Sequence, residues 1–294
     1  MFSIQTNEFM RMKESRRHGN ELLPITTYYI PTGNDFSALD CHWHDEMELF
    51  RVMQGVVTIQ CGASLFEAHA GDIAFFNSSE LHAAVPADNA RDLSFQAIVF
   101  SPDFLCGVTN DIIRVKYVSP VMNGELHLPN LIRQGTELHR RVSAAFDAVY
   151  ELLENRPPYF EFSARGGMLA AFGALVENGE SGGGGARYGA AAASIKIAIQ
   201  HIQENYRTAL TIAQLADIAG MSEGHFCRVF KQYTLKTPVQ YINSVRLVHA
   251  ADQLANTNKR VLDIAMDCGF NSVSYFIEVF RENFGITPSK YRKN

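Results

Sequence analysis

Ile264-Ala-Met-Asp-Cys-Gly-Phe-Asn-Ser-Val-Ser-Tyr-Phe-Ile-Glu-Val-Phe-Arg-Glu-Asn-Phe-Gly-Ile-Thr-Pro-Ser-Lys-Tyr-Arg292 is the stretch on which the reading of this chain turns. Val261, Ile264 and Ala265 fall on one face of a short helix. Gly269 permits a turn, and Ser272 stands where it caps a second helix that buries Phe276, Val279 and Phe280. The same grammar occurs about 50 residues earlier. Ser222, Phe226, Val229, Phe230, Thr237, Pro238 and Tyr241 recur as Ser272, Phe276, Val279, Phe280, Thr287, Pro288 and Tyr291. Upstream the offset is 49, pairing Leu215-Ala216 and Gly220 with Ile264-Ala265 and Gly269, so one turn holds an extra residue.

In the first copy Thr211 and Gln214 form a capping-box pattern, with Ile212, Leu215, Ala216 and Ala219 inward. The helix after Ser222 leaves Glu223, Gly224, Cys227, Arg228 and Lys231 outward. Thr237-Pro238-x-Gln240 starts a long helix, about 238 to 256, whose apolar face includes Tyr241, Ile242, Val245, Val248 and Leu254. Each copy is a helix-turn-helix unit. Two such units on one rigid body, about 34 Å apart, would enter successive major grooves on one side of a duplex. A plain helical bundle is the alternative, and repetition of cap, turn and aromatic core argues against it.

Charge distribution agrees. The 294-residue chain carries a net charge of −5, but residues 192–294 sum to +4 and the remainder to −9. A basic end and an acidic front fit a DNA-facing tail on a different kind of domain. The length suits two domains. The cysteines Cys41, Cys61, Cys106, Cys227 and Cys268 are odd in number, scattered and never in C-x-x-C spacing, as expected of reduced thiols. Arg11, Lys13, Arg16 and Arg17 precede no apolar h-region, and no run of about 18 apolar residues exists, so a cytoplasmic protein without a membrane span is expected.

Residues 20–105 read as short strands: 25–30, 48–53, 56–60, 72–76 and 93–100, separated by Gly55, Gly62, Gly71 and Asn77. Such spacing suggests a sandwich or barrel. Helical spacing then runs over 137–154, stopped by Pro157-Pro158, and again from 160 or 161 to 176. This hairpin, about 133–178, is expected to cover the barrel and to serve dimerisation. Ser181-Gly-Gly-Gly-Gly185 marks a boundary, read as a flexible tether over 179–191.

Leu210 to Arg292 resembles the DNA-binding domain of the AraC-type (AraC/XylS) transcription regulators, on the motif quoted at the outset and its earlier copy. The resemblance implies a domain of two helix-turn-helix units, 192–294, on double-stranded promoter DNA, with RNA polymerase as a further partner. Carried over by position, the DNA-facing set is Ser222, Gly224, His225, Cys227, Arg228 and Lys231, and Ser272, Val273, Ser274, Tyr275, Glu278 and Arg281. Base edges would be read from Gly224, Cys227 and Arg228 and from Val273, Ser274, Tyr275 and Glu278. Arg228 has the chemistry for a bidentate pair with guanine, and Glu278 for accepting from a cytosine amino group. Gly224 supplies no side chain where the family often has a larger one. Lys231, Lys236 and Arg281 suit phosphate, or are solvated surface charges.

In the front domain, His42-x-His44-x3-Glu48-x6-Gly55 with Gly71-x10-His82 resembles the cupin motif pair. Asn77 stands where proline is usual and Ser79 where glycine is. The implied fold class is therefore α+β in two domains: a cupin-like β-barrel with a helical hairpin over 1–178, and an all-α double helix-turn-helix domain. His42, His44, Glu48 and His82 suit a divalent transition metal such as Zn, Ni, Fe or Mn. Three readings stay open: the metal site of an active cupin enzyme, a regulatory metal or the polar end of an effector pocket, and hydrogen-bonding pocket residues. AraC-type regulators commonly carry a sensory cupin. The expectation is a non-enzymatic, effector-responsive homodimeric regulator. Its candidate effector set is His42, His44, Glu48, His82, Trp43 and Phe76, drawn with Phe50, Phe66 and Phe75 from a polar, aromatic interior suited to a sugar or related metabolite. The rival is a metal-dependent cupin enzyme fused to a DNA-binding tail; a non-specific architectural DNA binder is a third class.

Overall fold

Alternation along Met47-Glu-Leu-Phe-Arg-Val52 sets the layers of the front domain. Met47 and Leu49 join one buried cluster with helical residues, whereas Phe50 and Val52 join another between two sheets. A strand buried on both faces needs apolar side chains on both, which is why this stretch does not show the clean polar alternation of a surface strand. The computed structural model describes residues 18–31, 39–87, 93–106, 111–181 and 185–292. The chain divides into two units, one containing Ser15–Gly189 and the other Ala190–Asn294.

In the front unit the strands are β1 (Ile25–Pro31), β2 (Leu39–His42), β3 (Met47–Gln54), β4 (Val56–Cys61), β5 (Ser64–His69), β6 (Ile73–Phe76), β7 (His82–Pro86) and β8 (Ser94–Phe100). The short β9 (Leu126–His127), β10 (Leu131–Ile132) and β11 (Glu180–Ser181) follow. Among the described residues they form a five-stranded sheet, β1-β8-β3-β6-β10, and a four-stranded sheet, β2-β7-β4-β5. The inner faces meet through Phe50, Phe76, Phe95, Val57 and Ile59. The outer face of the larger sheet carries Ile25, Met47, Ile73, Phe75 and Phe100.

Helices cover that outer face. Short α1 (Pro102–Leu105), a π-helical turn (Arg114–Val118) and α2 (Ser119–Met122) precede the hairpin of α3 (Glu137–Asn155) and α4 (Phe160–Glu177). Val142, Phe146 and Val149 of α3 and Met168, Phe172 and Leu175 of α4 complete the cluster. Arg156 and Tyr159, both at positive φ, turn the chain around Pro157-Pro158. The expected hairpin is thus present, with ends one residue longer.

The tether expected over 179–191 is shorter in the structure. Glu180–Ser181 pairs with Leu126–His127, and helix α5 runs from Gly185 to Asn205, carried by an alanine-rich sequence of high helix propensity. Gly182–Gly184 of the glycine run lie outside the described residues.

The rear unit continues with α6 (Ile212–Ile218), α7 (Glu223–Thr234), α8 (Pro238–Asn256), α9 (Val261–Asp267), α10 (Val273–Phe284) and α11 (Pro288–Tyr291). Capping boxes at Thr211–Gln214 and Thr237–Gln240 start α6 and α8, each satisfying backbone N–H groups that a helix start leaves open. Helix α8 has two halves. Tyr241, Ile242 and Val245 are buried, with Tyr241 packed 5.6 Å from Phe230 of α7. Leu247, Ala250, Ala251 and Leu254 belong to the core of the second unit, with Ile264, Phe276 and Phe280. No described helix is long and apolar enough to cross a membrane.

The two turn glycines differ. Gly220 (φ +65°) has open space where a Cβ would stand, whereas at Gly269 (φ +88°) a Cβ would meet the Tyr206 carbonyl oxygen at 2.6 Å and that of Arg207 at 3.0 Å. The second turn is pressed onto the end of α5, where Arg246 also donates to the Tyr206 carbonyl (2.8 Å) and the Thr208 carbonyl (2.9 Å). Gly220→Ala is expected to cost about 1 kcal/mol for the left-handed backbone alone. Gly269→Ala, with the added backbone clash, should cost at least about 2 kcal/mol. Chemical denaturation of the full chain measures both, and equal losses would contradict the account.

Candidate functional site

Antiparallel register brings the front-domain residues together. His42 of β2 stands opposite His82 of β7, and paired residues on neighbouring strands project to the same side. Glu48 enters from β3 of the larger sheet, and His44 from the connection between β2 and β3. All four are buried, and one ligand atom from each lies within 4.8 Å of the others. His44 Nε2 is 3.2 Å from Glu48 Oε2, and His82 Nε2 is 3.5 Å from the same oxygen. The His42 and His82 rings are 4.2 Å apart.

Backbone carbonyls orient two of these rings. His44 Nδ1 lies 3.2 Å from the Glu46 carbonyl oxygen, and His82 Nδ1 lies 2.8 Å from that of Glu80. A carbonyl only accepts, so each Nδ1 carries the hydrogen and each Nε2 points at Glu48. An Nε2 with a lone pair would face the carboxylate as one acceptor faces another. The group is satisfied in two ways: an imidazolium donating to Glu48, or a cation among the four side chains. Burial by itself raises the Glu48 carboxyl; the hydrogen bonds and positive charge of His44 and His82 outweigh it and hold the group well below the ordinary carboxylate range. The His82 contact, at 3.5 Å, is the longer of the two.

The motif departures have local explanations. Ser79 adopts φ +59°, the conformation a glycine takes freely, and its N–H donates to the His44 carbonyl at 2.8 Å. Asn77 donates from Nδ2 to the Val121 carbonyl at 2.7 Å, tying the turn to α2. The turn before His82 therefore keeps its shape.

Among the aromatic candidates, Phe76 stacks on His82, with centroids 4.2 Å apart and planes 13° apart. Trp43 is buried at the position between His42 and His44. Phe50, Phe76 and Phe95 interlock between the sheets, filling the interior as core. Phe75 points to the helical side instead, because alternation places it with Leu49 and not with Phe76. One residue escaped the sequence reading: His18, buried, with its ring 5.0 Å from His44 and Nδ1 2.8 Å from the Tyr28 hydroxyl. With His44 and Glu46 it forms a second cluster of ligand-type atoms. No spacing rule links a residue ahead of β1 to the motif.

In the rear unit, α7 exposes Ser222, Gly224, His225, Arg228 and Lys231, with Cys227 half-buried. Ser222 holds the N-cap position without a side-chain hydrogen bond. Helix α10 exposes Ser272, Ser274, Tyr275, Glu278 and Arg281, and the Ser272 hydroxyl accepts from the Tyr275 N–H at 3.3 Å. Two expected contacts are otherwise engaged. Val273 packs against the second-unit core, and Lys236 Nζ lies 3.3 Å from the Ser244 hydroxyl. Sequence reading also missed Asn243, buried on α8, whose Nδ2 donates to the Tyr275 hydroxyl at 2.8 Å.

The chain matches the family described as AraC-like ligand binding domain over residues 27–168 and that described as Helix-turn-helix domain over 215–294. It is 26% identical over 96% of both chains to the uncharacterized HTH-type transcriptional regulator YdeC of Bacillus subtilis. It is 39% identical to the regulatory protein SoxS of Salmonella typhimurium, over 33% of this chain and 92% of that one. A crystal structure of an AraC-type transcriptional regulator from Chromobacterium violaceum aligns with 34% of this chain and 90% of its own, at 31% identity and a TM-score of 0.33.

Replacing Arg228 by Ala should cost about 1–3 kcal/mol on a duplex selected by the protein from a random library and relax preference at one or two base pairs. Replacing Arg281 by Ala should weaken binding to selected and scrambled duplexes alike and lower the salt dependence. Fluorescence anisotropy at several salt concentrations distinguishes the two. A uniform loss for Arg228→Ala would remove it from base readout.

Proposed function

The chain belongs to the AraC/XylS family of transcription regulators, and from that premise we propose that His42, His44, Glu48 and His82 form the sensing end of its ligand-binding domain. The protein is a DNA-binding transcription regulator with a ligand-binding domain. The observation that carries the sensing assignment is the convergence of three imidazoles and one carboxylate, all buried, at one end of an otherwise apolar interior. The effector is a small polar molecule, a sugar or related metabolite, that replaces the hydrogen bonds these groups make to one another. The tetrad is assigned to sensing and not to turnover; the relatives reported above, named as regulators, support this. Occupancy changes DNA binding only if the effector prefers one of two states of the protein.

A divalent transition metal held by the same four side chains is the second reading, favoured by one observation. Two of the rings have Nδ1 bound to a backbone carbonyl and Nε2 aimed at a shared carboxylate, the outer-shell pattern of metal-binding histidines. His42, His44, Glu48 and His82 would hold the ion, which would supply a fixed positive charge to the buried carboxylate. A homodimer through 105–178 remains part of the proposal, supported by the exposed Tyr159 and Phe162 at the hairpin turn. RNA polymerase is the further partner of a promoter-bound regulator.

The test is a thermal melt of the full chain with single sugars and with Zn(II), Ni(II) or Mn(II), paired with affinity for the selected duplex. A true ligand at 100 times its Kd adds about 2.7 kcal/mol of stability. Glu48→Gln and His82→Ala should abolish the shift. A shift with sugars identifies the first reading and a shift with metal alone the second. A ligand that stabilises the protein yet leaves DNA affinity and site preference unchanged removes the sensing role.

A further inference from the structure

Tyr275 is held from two directions. Its backbone N–H is fixed by the Ser272 cap, and its ring leans on Phe270, with centroids 6.4 Å apart. Its hydroxyl, at the end of a side chain 45% exposed, accepts a hydrogen bond of 2.8 Å from Asn243 Nδ2. Asn243 is buried on α8, next to Ile242 and two residues from Tyr241, which packs on the first helix-turn-helix unit. One turn of helix thus spans from the core under the first reading helix to the hydroxyl on the second.

The direction of this bond matters. An amide nitrogen only donates, so the phenol oxygen accepts and keeps its own hydrogen for another partner. With one lone pair taken by Asn243 and Tyr275 45% exposed, that hydrogen can serve a partner outside the protein. We propose that Asn243 is a positioning residue for sequence readout: it sets the Tyr275 hydroxyl as a donor to a base-edge acceptor in the major groove. Guanine O6 and N7, adenine N7 and thymine O4 are the acceptors of that groove. The proposal rests on reading the chain as a sequence-specific DNA binder and adds a residue that contacts no DNA. Because α8 is also packed in the first unit, readout by the second unit then depends on the helix that seats the first.

The experiment uses the full chain, a duplex selected by the wild-type protein from a random library, and a scrambled duplex of the same length and composition. Tyr275→Phe should lose about tenfold on the selected duplex and less than about twofold on the scrambled one. Asn243→Ala should show the same pattern, and the double variant should be no worse than Tyr275→Phe alone. Asn243→Asp is decisive: a carboxylate accepts the phenol hydrogen and withdraws the outward donor, so binding should fall although the tyrosine remains. Melting temperatures separate these effects from unfolding, and Tyr275→Phe, half-exposed, keeps the test open should the Asn243 variants fail to fold. Wild-type affinity in Asn243→Asp, additive losses in the double variant, or equal losses on both duplexes (a phosphate contact) would each overturn the proposal. A wild-type chain that selects no sequence at all would instead overturn the sequence-specific reading beneath it, and the proposal with it.

Discussion

Helix α8 is buried in two cores at once, and the DNA-binding unit depends on that. Tyr241, Ile242 and Val245 seal its first half, and Leu247, Ala250, Ala251 and Leu254 seal the second. Interiors pack at near-crystalline density, so a helix held this way cannot rotate without opening a cavity in one core or the other. Arg246, between the two halves, ties the helix to the end of α5 through two carbonyl bonds and lies 5.7 Å over the Phe270 ring. Its burial lowers its pKa, although the group stays charged at any ordinary pH. The two exposed helix faces are therefore carried by one rigid element, which a tandem reader of successive grooves requires.

The front unit is governed by a different constraint. A buried carboxylate facing imidazole nitrogens must have positive charge beside it, whether from protons on the rings or from an ion among them. The protein invests backbone geometry in that arrangement: the Glu46 and Glu80 carbonyls aim two rings, and Ser79 holds a left-handed turn where glycine would relax freely. Strain that persists at such a turn points to a shape the surrounding structure enforces. The layer behind it, sheet packed on the α3–α4 hairpin, is apolar and ordinary by comparison.

Much of this was legible in the sequence, for identifiable reasons. The paired helix-turn-helix units were readable because caps, turn glycines and aromatic core residues recur at fixed offsets, and α8 falls where Thr237-Pro238 and its periodicity place it. The strands with strong β-branched or aromatic runs were readable too. β5 was not, and β2 and β7 were expected only through the cupin resemblance, as the strands carrying His42 and His82: Leu39-Asp-Cys-His42, Ser64-Leu-Phe-Glu-Ala-His69 and His82-Ala-Ala-Val-Pro86 are short or weakly alternating and become strands through their partners. The tetrad was legible through the resemblance of its spacing to the cupin motif pair, whereas His18 and Asn243 were not, since each reaches its site by tertiary packing across loops or helices. Phe75 shows the opposite failure: composition counted it with the interior aromatics, and strand alternation sent it outward.

Helices α7 and α10 are not equivalent, although the sequence pattern repeats between them. Helix α7 begins without a side-chain cap bond, carries Gly224 in its first turn and presents Arg228 on a face otherwise sparse in fixed groups. Helix α10 begins with a bonded Ser272, and its Tyr275 is tied to α8. A long guanidinium on a lightly constrained helix end adapts to its partner and loses side-chain entropy on binding, whereas a phenol fixed at both ends loses little. The first unit is thus suited to a strong contact at few positions and the second to a weaker but pre-set one.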